Sequence, residues 1–85
     1  MKKTIDGLTV NIDERKASDW HAFQLVRKAN SASQLDQMAV MFEFLEYVTD
    51  QTEQSIIEHL GGDTAQVNEV VALVAKIVKE VTPKN

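Results

Sequence analysis

Helix start signals divide this chain into short segments and leave little freedom in how it can fold. A hydroxyl or carboxylate followed three residues later by Gln or Glu occurs at Ser31/Gln34, Asp50/Glu53 and Asp63/Gln66. A side-chain acceptor at such a position satisfies amide groups that the first turn of a helix leaves without partners. Because an apolar-periodic run follows each pair, we expect a helix to begin at each of these positions.

Size and charge restrict the class of protein further. The 85 residues are 44% hydrophobic, which predicts one small folded domain over residues 1–85. The net charge is −4 and the basic residues are scattered, so nucleic-acid binding is not expected. Apolar runs fall short of the roughly 20 residues that cross a bilayer, and neither a membrane segment nor a signal peptide is predicted. The chain has no cysteine, which suits a reducing cytoplasm.

Residues 1–13 have the pattern of a β-hairpin. Lys2–Ile5 and Leu8–Ile12 flank Asp6-Gly7, a pair that readily takes the two positive φ angles of a type I′ turn. Leu8, Val10 and Ile12 alternate with polar residues, so one face of the hairpin is apolar. This face must be covered, either by the chain's own helices or by a neighbouring subunit.

Helical periodicity extends over residues 18–81, after a polar connection at 13–17 and before a tail at 82–85. The four predicted helices are Asp19–Ala29, Ala32–Val48, Gln51–Leu60 and Thr64–Val81. Ser18 or Asp19 is expected to cap the first, and Gly61-Gly62 to end the third. The sequence therefore predicts an α+β fold that is mostly α, with an N-terminal β-hairpin followed by about four helices in a compact bundle.

The last of these helices is rich in valine, which favours a strand. Its apolar seam is expected to contain Val67, Val70, Val71, Val74, Ile77, Val78 and Val81, with Leu73 beside it. β-Branched side chains lose rotamer freedom in a helix. The seam nevertheless repeats every 3.6 residues over about four turns, and this period indicates a helix.

The second predicted helix is apolar on two sides. Leu35, Met38, Phe42 and Leu45 form one stripe, and Val40, Phe44 and Tyr47 form another roughly opposite to it. Such a helix lies either at the centre of a bundle or against another chain. Both alternatives remain open from the sequence.

No residue cluster indicates catalysis, a cofactor or a metal. His21 and His59 lie on different predicted helices and have no ligand-spaced partners, and the serines lie in no nucleophile motif. The glycines are too few to form a phosphate-binding loop. We therefore expect no catalytic residue, no cofactor-binding residue and no metal site, and the protein is not predicted to be an enzyme.

A family resemblance is carried by the order of several short motifs. The Asp6-Gly7 turn is followed by Ile12-Asp13-Glu14 and by Asp19-Trp20, which opens a helix with Phe23 behind it. Leu45-Glu46, a break at Thr49-Asp50, a helix ending in Glu58-His59-Leu60, Gly62-Asp63 and a final helix continue the order. Over residues 4–81 this resembles the small tail assembly chaperones of long-tailed phages and prophages of Gram-positive hosts. The second stripe of the second helix departs from the more charged helix that such proteins often have.

This resemblance implies a non-catalytic chaperone that acts by protein–protein interaction during virion assembly. Members of the family bind the tape measure protein and recruit the major tail protein, and they are absent from the finished virion. The implied location is the cytoplasm of the host cell, with self-association and with neither nucleic acid nor membrane as a partner.

The candidate partner-binding residues are those of the second stripe and two aromatic residues of the first helix, namely Val40, Phe44, Tyr47, Trp20 and Phe23. Aromatic anchors contribute most of the energy of many interfaces. Ordinary core packing is the alternative for all five, and it is favoured for Trp20 and Phe23. The alternative function is a small prophage or bacterial regulatory adaptor, similar to an antitoxin or an anti-repressor, that also acts by protein–protein binding.

Overall fold

The hairpin predicted at the start of the chain is confirmed. The computed structural model describes residues 1–82, and strand β1, Lys2–Ile5, pairs antiparallel with strand β2, Leu8–Asn11. Asp6 and Gly7 join the strands with φ angles of 50° and 82°, as a type I′ turn requires. The apolar face of the hairpin, including the fully buried Val10, packs into the same core as the chain's own helices.

In the described part of the chain five α-helices follow the hairpin, and their arrangement confirms a mostly helical α+β fold. They are Glu14–Ala17 (α1), Trp20–Ser31 (α2), Gln34–Val48 (α3), Glu53–His59 (α4) and Val67–Val81 (α5), with a 3-10 turn at Gly62–Thr64. Within residues 1–82, no helix combines the length and the apolar composition needed to cross a membrane. Of the predicted tail at 82–85, residues 83–85 lie outside the described part of the chain.

The prediction of a polar connection over 13–17 is wrong. The Asp13 carboxylate accepts a hydrogen bond from the amide of Lys16 at 3.1 Å and caps the single turn of α1. The sequence predicts either Ser18 or Asp19 as the cap of the next helix. Asp19 is the cap of α2, because its carboxylate accepts a hydrogen bond from the amide of Ala22 at 2.8 Å. Asp13 and Asp19 therefore cap two successive helices and satisfy an amide group in the first turn of each.

The predicted caps at Ser31, Asp50 and Asp63 lie two or three residues before the N-cap positions of α3, α4 and α5. Helix α3 is capped by Ser33, α4 by Thr52 in a reciprocal capping box with Ser55, and α5 follows Gln66 without a side-chain cap. Ser31 still belongs to α2, where its hydroxyl donates to the carbonyl of Arg27. The signals thus mark the right breaks between helices but name the wrong acceptors.

Asp50, one of those acceptors, connects the hairpin to the end of α3. Its carboxylate accepts hydrogen bonds from the backbone amide and the side-chain amide of Asn11, at 3.0 and 2.6 Å. The side-chain amide of Gln51 donates to Asp50 at 3.1 Å and to the carbonyl of Thr9 at 3.1 Å. The hydrogen bond from the Asn11 side chain is the main reason that the pKa of Asp50 lies below its ordinary value of 3.8.

Helix α3 lies at the centre of the fold, with most of both apolar stripes inside. It packs against α2 and α5. Phe42 and Leu45 of the first stripe are buried, and Val40 and Phe44 of the second stripe are only 5% and 3% exposed. The central-helix alternative is therefore confirmed. Leu35 is the exception at 90% exposed, and it lies in the first turn of α3, two turns before the buried Phe42 of the same stripe.

Helix α5 confirms that period outweighs the strand propensity of valine here. Val70, Val74, Ile77 and Val81 form the buried seam, as predicted. The edges of that seam were predicted less well. Leu73 belongs to the core, whereas Val67 and Val71 are exposed.

We expect Phe44→Ala to lower the free energy of unfolding by about 3–5 kcal/mol, because it removes a buried aromatic ring and leaves a cavity. Leu35→Ala is the matched control on the same helix, and its exposed position predicts a change within about 0.5 kcal/mol. Urea denaturation followed by circular dichroism measures both values. Equal, small effects of the two substitutions would contradict the central position of α3.

The Asp50 network makes stability depend on pH. The folded-state pKa of Asp50 lies below 3.8, so the stability that its ionised carboxylate contributes is complete above pH 3.8. That stability is lost as the pH falls through the folded-state pKa. We expect Asp50→Asn to be less stable at neutral pH and to lose less additional stability on acidification. Asp63→Asn, which alters an exposed carboxylate outside the network, should keep the wild-type acid dependence when both are followed by urea titration.

Candidate functional site

The candidate surface is the solvent-facing side of α2 with the adjoining end of α1. Trp20 begins α2 and Phe23 follows one turn later, and they are 65% and 50% exposed. Their ring centroids lie 5.1 Å apart, so the two rings form a continuous aromatic patch. The core alternative for Trp20 and Phe23 is wrong, because the smaller Ala22 and the aliphatic Leu25 occupy the inner side of α2.

This aromatic patch continues into a positively charged side chain. The guanidinium carbon of Arg27 lies 5.8 Å from the centroid of the Phe23 ring, in the range of a cation–π contact. Trp20, Phe23 and Arg27 are spaced by three and four residues, so they form one stripe along the helix. We refer to these three residues as the α2 stripe.

Tyr47 stands beside the start of α2 and links it to α3. Its hydroxyl donates to the Asp19 carboxylate, and its ring is met edge-on by His21 at a centroid distance of 4.6 Å. The Lys16 ammonium lies 5.2 Å from the centroid of the same ring. The hydrogen bond from Tyr47 is the main cause of the lowered pKa of Asp19, and the same bond raises the pKa of Tyr47 above 10.0.

An open apolar depression adjoins the α2 stripe. It has a volume of about 450 Å³, and its lining includes Ala22, Phe23, Val26 and Phe44. A second depression of about 170 Å³ shares Val26 and Phe44 with the first and extends towards Met41. Phe44 thus lies beneath an accessible recess although its own side chain is almost fully enclosed.

The five predicted partner-binding residues fall into three environments. Trp20 and Phe23 lie together on the surface, and Tyr47 is half-buried against Asp19 and His21. Val40 and Phe44 lie in the interior because α3 is enclosed, so the prediction that they form a surface stripe is corrected. Binding of a partner through any of the five remains a prediction.

Sequence reasoning missed the positive side chains that contact the candidate aromatic residues, namely Arg27 on Phe23 and Lys16 on Tyr47. Arg27 was available as a signal, since it follows Phe23 by four residues on a helix whose other side carries Ala22 and Leu25. Lys16 gave no comparable signal, because α1 was not predicted as a helix. The contact of Lys16 with Tyr47 joins residues far apart in the chain, and no local pattern encodes it.

The described residues offer no evident chemical centre. Across residues 1–82, no three side chains of His, Asp and Glu are grouped so that they could hold a metal ion. His59 lies with its Nε2 atom 3.0 Å from the carbonyl oxygen of Asp6, at the hairpin turn, and His21 packs on Tyr47. Both imidazoles thus have structural contacts.

Comparison of the chain with protein-family models, with curated proteins and with solved structures gives no match.

We expect Tyr47→Phe to raise the pKa of Asp19 towards 3.8, because the substitution removes the hydroxyl that stabilises the ionised carboxylate. A carboxyl-carbon NMR titration measures this change directly. Asp50 is the internal control, since its partners Asn11 and Gln51 are untouched and its pKa should not move. An unchanged Asp19 titration would show that this hydrogen bond is absent in solution.

Proposed function

We propose that the protein is a non-catalytic tail assembly chaperone of a phage or prophage, which binds the tape measure protein and promotes assembly of the tail tube. In this proposal the major tail protein is a second partner and the protein self-associates. It acts in the cytoplasm of the host cell and is absent from the mature virion. Neither nucleic acid nor a membrane is a partner.

The observation that carries the proposal is the exposed pair of Trp20 and Phe23. Folding gains most from aromatic rings that are enclosed, yet these two rings keep 65% and 50% of their surface exposed. An exposed aromatic patch beside an apolar depression is typical of a surface that binds another protein. A chaperone with a protein client requires a surface of this kind.

The resemblance to tail assembly chaperones supplies the identity of the client. Its motifs follow the order of the elements in the fold, from the Asp6-Gly7 turn through the capped start of α2 to the final helix. Asp19, which belongs to one of these motifs, caps the helix that presents both aromatic rings. The motifs of the resemblance and the exposed pair therefore coincide at the start of α2.

Co-expression with a fragment of the tape measure protein encoded beside this chain tests the proposal. We expect a complex that co-elutes in size-exclusion chromatography. Replacing both Trp20 and Phe23 with Ala should weaken it by at least about tenfold, because each aromatic anchor contributes more than about 1 kcal/mol. The double substitution of the exposed Leu35 and Val67 with Ala is the matched control and should leave the complex intact.

The absence of a complex with both the tape measure fragment and the major tail protein would refute the proposed function. A complex that forms and survives the Trp20/Phe23 substitutions would leave the function standing and exclude the α2 stripe as its contact surface. The two results therefore separate the identity of the partner from the location of the surface.

A further inference from the structure

Charge is distributed unevenly between the α1–α2 segment and the rest of the chain. Residues 14–31, from the start of α1 to the end of α2, contain four basic and two acidic residues, a net charge of +2. The rest of the chain contains five basic and eleven acidic residues, a net charge of −6. The aromatic patch therefore lies on a positive segment of an otherwise acidic protein.

Most positive charges of this segment lack a carboxylate partner. Within residues 1–82, Arg15, Lys16 and Arg27 form no ion pair, whereas Lys28 lies 3.7 Å from Glu43 of α3. Of the two acidic residues of the segment, Glu14 and Asp19, the second already accepts hydrogen bonds from the Ala22 amide and the Tyr47 hydroxyl. The segment thus presents positive charges that are available to a partner.

The shape of the surface favours a helix as the partner. The α2 stripe runs along a 12-residue helix, which is about 18 Å long. The apolar depressions lie beside it, with Val26 in the lining of both. A partner helix of about three turns could place an apolar stripe on Trp20 and Phe23 and reach Arg27 with flanking carboxylates.

We infer that the α2 stripe binds an amphipathic helix of the partner whose apolar residues are flanked by Asp and Glu. This inference deepens the proposed function and rests on it for the existence of a protein client. The aromatic rings supply the apolar contact, and Arg27, which lies over the Phe23 ring, selects an acidic helix over a neutral or a basic one.

Other anionic partners fit the charge distribution less well. A nucleic-acid strand or an anionic membrane extends beyond the α1–α2 segment and would meet the part of the chain with a charge of −6. A short acidic helix interacts with the positive segment alone. The charge distribution therefore favours a peptide helix.

Trp20 provides a direct measurement, because it is the only tryptophan of the chain. We propose titrating the full chain with two synthetic helical peptides of about 20 residues that share the same leucine stripe. One peptide carries Glu at the flanking positions and the other carries Lys. The Glu peptide should shift Trp20 emission to the blue and saturate, whereas the Lys peptide should bind at least about tenfold more weakly.

Two pairs of variants assign the contacts while keeping Trp20 as the reporter. Phe23→Ala should weaken binding of the Glu peptide by at least about tenfold, and Leu35→Ala, another exposed apolar residue, should change it less than about twofold. Arg27→Glu should weaken binding by a similar factor, whereas Lys2→Glu on β1 should not. Arg27→Gln is a milder variant of the same test, and circular dichroism verifies that every variant is folded.

Several results would overturn the inference. These are the lack of a saturable shift with the Glu peptide, equal binding of both peptides, and tighter binding of oligothymidylate or of phosphatidylserine vesicles. A shift that develops when the protein alone is concentrated, and that Phe23→Ala abolishes, would instead assign the surface to a second copy of the chain.

The tape measure experiment separates this inference from the proposed function. Co-elution with the tape measure fragment, together with no response to the Glu peptide, would overturn the inference and retain the function. A selective response to the Glu peptide without any tape measure or major tail protein complex would support binding of an acidic helix by the α2 stripe. The same result would refute the tape measure protein as the partner.

Discussion

Enclosure of α3 from two sides is the constraint on which the rest of this fold depends. A helix with Val40 and Phe44 on one side and Phe42 and Leu45 on another cannot be covered by one neighbour. Each such side chain contributes about 1.5–3 kcal/mol when it is removed from water, so leaving either side open would be costly for a chain of 85 residues. Helices α2 and α5 both pack on α3, and the hairpin adds Val10 and Ile12 to the same core.

Polar contacts then fix the hairpin onto this helical core. The Asp50 carboxylate binds both amides of Asn11 at one end of the hairpin. At the other end, the carboxylate of Asp6 lies 2.8 Å from the Lys76 ammonium. The second contact is exposed and contributes little to stability, whereas the hydrogen bonds to Asn11 satisfy backbone and side-chain groups together.

The sequence predicted the hairpin and the longer helices better than it predicted which side chains contact one another across the fold. The Asp6-Gly7 turn and the periodicity of α3 and α5 are local properties, and both were read correctly. Asp50 was assigned to the wrong role because its donors on Asn11 are 39 residues away, a distance that no local motif covers. Residues that satisfy the capping pattern can therefore be recruited by tertiary contacts instead.

The candidate surface shows the same limit. Trp20 and Phe23 are candidate partner-binding residues for which core packing is the favoured alternative from sequence, but Ala22 and Leu25 occupy the inner side of α2, where that helix packs on α3. The exposure of an aromatic ring depends on which side of its helix the neighbours occupy. Tertiary structure decides that, and a single sequence encodes it only indirectly.

The contacts between β1 and α5 have a consequence for synthesis of the protein on the ribosome. Strand β1 is made before the helices, but Lys3 pairs with Glu80 and Asp6 pairs with Lys76, which are added 77 and 70 residues later. The nascent hairpin therefore cannot pack on α5 until those residues have been synthesised. A two-stranded hairpin has little stability alone. Final docking of the hairpin is thus a late, long-range step of folding, after the local helical turns have formed.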